Sequence, residues 1–355
     1  MNRTLLRSTL ILGTAGLLAA CGPQPAETPE GSTPPPPAGI DVTGAGASFV
    51  FPLISQWSNE YAQATGNRVN YQSIGSGGGI AQAKAGTIDF GSTDAPLTPD
   101  VLAEARLGQF PSVIGGVVPV VNIEGIEANQ LRLTGPLLAE IYLGRITTWN
   151  DPAIVAINPG LALPETAIKV VYRSDGSGTT FNFVHYLGQV SPAWAETVGP
   201  AATSVRWPIG VGGRGNEGVA AYTQQLTGSI GYVELSYALQ NDLTTVSLQN
   251  AAGYWVEPNI ASFQAAAAGA DWANAEDFNL LITNAPGAEA WPIAATNFIL
   301  VSKEPNDPVK ARAALDFFRW GYAYGDARAK ELGYVPLPED VVALVKAYWE
   351  ANFTF

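Results

Sequence analysis

The chain has 355 residues, 47% of them hydrophobic, which is enough to bury a sizeable core, leaves room for two domains and excludes disorder for the bulk of it. Eighteen basic residues against 31 acidic ones give a charge of −13. That is the wrong sign for a nucleic-acid partner, whose phosphates need a basic footprint. Any anion bound here must be captured by local geometry.

The first residues carry Arg3 and Arg7, an apolar stretch from Leu10 to Leu18, and then Leu18-Ala19-Ala20-Cys21. The pattern predicts a bacterial lipoprotein signal over residues 1–20. Its apolar stretch is too short for an ordinary transmembrane helix. Cys21 is the only cysteine, so no disulfide forms within the chain. Its place in a lipobox-like sequence points to lipidation rather than to a chance cysteine beside a generic signal. Removing the signal takes away Arg3 and Arg7, leaving 16 basic side chains against 31 acidic and a charge of −15. Residues 21–39 read as a tether; its proline-rich stretch from Pro23 to Gly39, without large apolar side chains, reaches roughly 50 Å at about 3.1 Å per residue. The expected location is exported, with a lipid anchor at the cell membrane and the body on the periplasmic or extracellular face.

Beyond Gly39, short apolar runs, glycine- and serine-rich loops and helical patterns alternate, which is the α/β signature. Leu53, Trp57 and Tyr61 recur at a spacing of four and predict one face of a helix ending at Gly66. Residues 68–74 read as a strand, Gly75 to Gly79 (G-S-G-G-G) as a loop, and a helix is expected from Ile80. A short strand is expected at 87–91, and a helix opening on a proline at 307–320. The apolar runs 114–122 and 291–301 fit either central strands of one domain or crossovers between two lobes.

Three loops share one logic: Ala45 to Phe49 (A-G-A-S-F), Gly75 to Gly79, and Asp175 to Thr179 (D-G-S-G-T), the last ahead of a helix expected near Phe181. A helix N-terminus offers unpaired N–H groups and the positive end of the macrodipole, and glycine lets a ligand approach the backbone. Singly, each loop is an ordinary cap or turn; three on one chain favour an oxyanion site. Arg173 can fork onto an oxyanion or pair with Asp175, and these roles are compatible. Asp94, in G-S-T-D-A-P, alone would be a turn aspartate. Ser177 as a nucleophile needs a base, but the one histidine, His185, stands eight helical residues or roughly 12 Å further along. With one His and one Cys, metal chemistry has little to stand on. The segment Gly210 to Gly218 (G-V-G-G-R-G-N-E-G) lacks the order of a P-loop or a dinucleotide fold and reads as a structural loop before a helix that could face a cleft.

T-G-A-G-A-S-F at Thr43, Y-Q-S-I-G-S-G-G-G at Tyr71, D-F-G-S-T-D-A-P at Asp89, F-P-S-V-I-G-G-V-V at Phe110, I-Y-L-G-R-I-T-T-W at Ile141, R-S-D-G-S-G-T at Arg173 and W-P-I-G-V-G-G-R-G-N at Trp207 together resemble the PstS family. These are the phosphate-binding proteins of bacterial ABC phosphate importers. The resemblance runs in order from Asp41 to the C-terminal region. It implies a two-lobed periplasmic-binding-protein fold (type II) with a cleft between lobes joined by two crossover strands. One lobe would take residues 40–117 plus 295–355, the other 118–294. Carried over by position, it implies phosphate contacts from Ser48, the Phe49 N–H, Ser76, Asp94, Arg173, Ser177, Gly178 and Thr179, with Asp175 orienting Arg173. Ser48 replaces a common threonine and Gly77 a frequent serine, and neither change removes the site.

Asp94 would then choose the anion. Phosphate near neutral pH keeps a proton that a buried carboxylate can accept as a hydrogen bond, and sulfate has none. The resemblance implies no catalysis, no cofactor and no metal. The implied partners are inorganic phosphate, the permease subunits with their cytoplasmic ATPase, and the membrane through Cys21, with the protein a monomer. Receptors for sulfate or molybdate and a hydrolase using Ser177 are the competing readings.

Overall fold

A computed structural model describes residues 39–355. The expected signal peptide, Cys21 and the tether up to residue 38 lie outside the described residues. The described chain begins with strand β1 (Asp41–Gly46), helix α1 (Phe51–Thr65), β2 (Arg68–Ser73), α2 (Ser76–Lys84) and β3 (Phe90–Thr93). In α1, Leu53, Ile54, Trp57 and Tyr61 are buried, and Gly66 ends the helix at φ 79°, a left-handed conformation that costs glycine little.

The glycine run behaves differently from the expectation of a loop: α2 starts at Ser76, not Ile80. Glycine lowers helix propensity, but here close approach decides. A Cβ on Gly79 would come within 2.6 Å of the Gly46 Cα and 2.7 Å of the Ser92 carbonyl. Only a glycine-rich first turn lets the helix lie this near β1 and β3. The strand expected at 87–91 is shifted to β3, with residue 89 instead holding the Thr43 amide on its carboxylate at 2.7 Å.

Strand β4 (Leu107–Asn122) is sixteen residues long and, except for its last residue, buried throughout. After it come β5 (Lys169–Arg173), α3 (Gly178–Val190), β6 (Val211–Gly213), α4 (Gly215–Gln225) and β7 (Ser229–Glu234). The chain returns as β8 (Ala294–Ser302) and closes with α5 (Pro308–Tyr324) and α6 (Glu339–Asn352), where Asp307 caps α5 through two backbone amides. Helix α3 starts three residues before the expected Phe181, because Ser177 caps it.

The sheet runs in the order β2-β1-β3-β8-β4-β7-β5-β6. Residues 107–116 of β4 pair antiparallel with β8, and residues 117–122 pair antiparallel with β7. Either side of this centre the strands are parallel. This is the two-lobed α/β architecture, with glycine- and serine-rich loops at the carboxyl ends of parallel strands, where open α/β sheets put their sites. The register of β4 against β8 slips between Asn297 and Phe298, a bulge with consequences for the site. Among the described residues no helix is long and apolar enough to cross a membrane.

Candidate functional site

Strand β1 and the turn after it deliver Ser48 and Phe49, α2 begins with Ser76, Asp94 follows β3, Arg173 ends β5, and Ser177, Gly178 and Thr179 open α3. All eight are buried or form buried backbone, and the structure brings them into one cluster. The Ser76 Oγ accepts from the Asp94 amide at 3.2 Å and from the Gly178 amide at 3.0 Å. That hydroxyl therefore joins the β3 and α3 sides of the cleft. The Gly77 amide adds a second link, donating to the Gly176 carbonyl at 3.0 Å.

Arg173 is 4% exposed. Its Nε and Nη2 donate to the two Asp175 carboxylate oxygens at 2.8 and 2.7 Å, and Nη1 reaches the Thr179 Oγ1 at 3.3 Å. A guanidinium has five N–H groups in a fixed fork, so this pairing leaves two unused and holds their direction. The structure thus shows the Arg173–Asp175 ion pair, which holds the guanidinium in a fixed orientation. Burial opposes ionisation of the Asp175 carboxyl, but the Arg173 guanidinium outweighs it and holds the carboxyl below its usual range.

Asp94 is fully enclosed. Burial is the main cause that pushes its carboxyl up to about 7, opposed by a hydrogen bond from Asn297 and by the Arg173 charge. Asn297 donates from Nδ2 to Asp94 Oδ1 at 2.7 Å, while Ser112 donates to the Asn297 Oδ1 at 2.7 Å. The bulge opposite Asn297 lies in β4, where Ser112 is the extra residue between Val113, paired with Asn297, and Pro111, paired with Phe298; a bulge can re-aim a side chain. From the other side, Asn182 of α3 donates to the Asp94 carbonyl at 2.7 Å and to the Gly178 carbonyl at 2.9 Å.

Ser48 is bound from below by Asn216, whose amide and Nδ2 donate to its Oγ at 3.1 and 2.9 Å. The Gly215 amide donates to Asp175 at 3.0 Å. The glycine-rich segment 210–218 therefore does face the cleft, at the N-terminus of α4. Ser177 is tied to its helix, accepting from the Thr180 amide at 3.0 Å. His185 lies further along α3 with Nδ1 2.6 Å from Thr283 Oγ1, so no serine–histidine pair forms there.

Three asparagines in this cluster, Asn182, Asn216 and Asn297, escaped the sequence reading. Asn297 left a trace as a polar side chain inside the apolar run T-N-F-I-L-V, in a strand buried on both faces, and Asn216 lies in the glycine-rich segment expected to be able to face a cleft. The arrangement can surround a small anion with hydroxyls, N–H groups at helix N-termini and one guanidinium, and presents one carboxyl as an acceptor.

A family model described as a PBP superfamily domain matches residues 24–323. A curated relative, the phosphate-binding protein PstS of Xylella fastidiosa (strain 9a5c), is 59% identical over 97% of each chain. The solved phosphate-binding protein from Stenotrophomonas maltophilia superposes with a TM-score of 0.67 at 20% identity, covering 87% of this chain and 93% of its own. An ABC-type phosphate transport receptor from Vibrio cholerae superposes with a TM-score of 0.53 at 20% identity, covering 84% and 100%. A match of this extent, in a two-lobed fold whose loops converge as described, means that the chain belongs to the PstS family of substrate-binding proteins.

Proposed function

We propose that this protein captures inorganic phosphate in the cleft between its lobes and delivers it to the permease of an ABC importer, without catalysing a reaction. The observation that carries the reading is the pairing of a positively biased cradle with a single buried acceptor: Arg173, Ser48, Ser76, Thr179 and the Gly178 amide around Asp94. A fully ionised tetrahedral anion meets repulsion at Asp94 once that carboxyl is ionised, whereas a protonated one donates to it. An unmet buried charge costs about 1–3 kcal/mol or more, and a site built to pair a ligand's proton discriminates by roughly 10⁴ or more.

In this reading phosphate is gripped by Ser48, the Phe49 N–H, Ser76, Asp94, Arg173, Ser177, Gly178 and Thr179, with Asp175 aiming Arg173. Residues 40–117 with 295–355 form one lobe and 118–294 the other; the change of β4 partner after Gly116 supports that division. Capture then proceeds by hinge closure about the crossover strands. The anchor at Cys21, the exported location and the monomeric state rest on the sequence pattern and the family.

Calorimetry of the chain from Ala38 onward, which is one compact unit, tests the function. Tight phosphate binding with little competition from sulfate is expected. Equal binding of the two anions, or none of either, overturns it. Turnover of chromogenic phosphate or acyl esters would move the assignment to a hydrolase.

A further inference from the structure

Glu234, the last residue of β7, is entirely buried beside the first anion loop, and none of the roles above uses it. Its backbone pairs with Val117, one residue past the point where β4 changes partner. Its Oε2 accepts from the Ser236 amide at 2.9 Å and from the Ser236 hydroxyl, while Oε1 is buried with no hydrogen-bond partner. Among the described ion pairs none includes Glu234. The Tyr334 hydroxyl stands 2.9 Å from Oε2, 2.6 Å from the Phe49 carbonyl and 3.1 Å from the Ser236 Oγ.

Counting protons decides the state of this group. Tyr334 has one hydroxyl proton, and the Phe49 carbonyl, the nearer partner, can only accept. With that proton on Phe49, the tyrosine oxygen and Oε2 face each other across 2.9 Å with no hydrogen between them if the carboxyl is ionised. Turning the tyrosine proton to Glu234 leaves the Phe49 carbonyl facing a bare oxygen at 2.6 Å. One added proton, on Oε2, satisfies both contacts: Glu234 donates to Tyr334 and Tyr334 donates to Phe49. It also leaves Oε1 as a neutral carbonyl, which is far cheaper to bury unpaired than half of a charged carboxylate.

We propose that Glu234 is a positioning residue, held as a neutral carboxylic acid, which through Tyr334 fixes the Phe49 carbonyl and thereby the Ser48–Phe49 loop in its anion-binding arrangement. The inference rests on the phosphate-binding reading for its consequence, though not for the protonation itself. The relay joins segments 234–236, 334 and 49, and the ring of Phe49 packs against that of Tyr334 at 6.2 Å. The ionisable groups that act on this cluster are Tyr334 and Tyr237, with the Asp94 charge adding to the bias against ionisation of Glu234. Arg173 and Glu217 act on Tyr237, whose hydroxyl donates to the Ser48 carbonyl at 2.7 Å. Burial, ahead of these, sets the Glu234 carboxyl at about 8. Above that pH the acid ionises, the relay loses its proton and the loop loosens.

Two measurements test this. Infrared difference spectra of the wild type against Glu234→Gln at neutral pH should contain the carbonyl band of a neutral carboxylic acid that the variant lacks; absence of that band overturns the proposal. Phosphate affinity, followed on either side of pH 8, should fall in the wild type by up to about tenfold per pH unit, the limit for release of one proton. Glutamine can still donate to Tyr334, so Glu234→Gln should lose the part of the decline that sets in near pH 8 and keep only what Asp94 and the anion itself contribute, as should Tyr334→Phe at lower overall affinity. Profiles in the two variants that fall as the wild type does overturn it. If the wild type binds no phosphate at neutral pH, the functional reading fails instead, and the infrared comparison still decides the state of Glu234.

Discussion

Gly178 and Asp94 touch so closely that a Cβ on the glycine would stand 2.6 Å from the Asp94 Cβ and 2.6 Å from its amide nitrogen. The first turn of α3 and the end of β3 can therefore meet only through a glycine. Gly178→Ala is expected to keep its secondary structure but to prop the cleft open. Overpacking at about 1–3 kcal/mol translates into phosphate affinity lower by roughly fivefold to a hundredfold. Calorimetry measures the loss, and small-angle scattering should report a larger radius of gyration.

Asp94→Asn exchanges the acceptor for a group that can also donate. Phosphate affinity should drop modestly, while sulfate, freed from the facing carboxyl, should gain at least about tenfold, or roughly 1.4 kcal/mol. Competition calorimetry reads both, and unchanged selectivity would remove Asp94 from its assigned role.

The same residue sets a pH dependence without ligand. Its folded value of about 7 lies above the ordinary 3.8, so the folded state keeps a proton that the unfolded chain has already released. Stability from this group is fully present below about pH 4 and is lost as pH rises towards 7, by no more than about 4 kcal/mol. Glu234 continues the decline to about 8. Thermal unfolding of ligand-free protein should show the slope, and Asp94→Asn should flatten its lower part.

Asp175 spends both carboxylate oxygens on Arg173 and accepts the Gly215 amide as well. Asp175→Asn should release the guanidinium from its fixed direction and weaken phosphate by on the order of tenfold, mainly through faster dissociation, since preorganisation is what is lost. Arg173→Lys should be worse, because a single ammonium cannot hold both Asp175 and the anion in a fork. Stopped-flow binding separates the two rates.

The parts of this site that the sequence discloses are those whose chemistry is local. Arg173 and Asp175 are two residues apart, and the loops at Ala45, Gly75 and Asp175 each enter a helix within a few residues, so motif and geometry coincide. The asparagines are invisible for the opposite reason: Asn297 meets Asp94 across 203 positions and Asn216 meets Ser48 across 168. Nothing beside them in the chain signals those partners. G-S-G-G-G was misleading in a different way, since propensity predicts a loop but packing against the Gly46 and Ser92 backbones makes it helical.

Strand β8 fills the gap between β3 and β4, yet it is made some two hundred residues after β3. Helix α1 likewise waits for the C-terminal region, since Trp57 donates to the Gly325 carbonyl at 3.1 Å and packs against Phe317. The half built on β1 to β3 therefore cannot close its sheet or its core until nearly the whole polypeptide has emerged. Until then that half has an open sheet edge and an incomplete core, and its completion awaits a long loop closure. Order of assembly is thus written into the topology: the middle of the chain can fold first, and the two ends finish together.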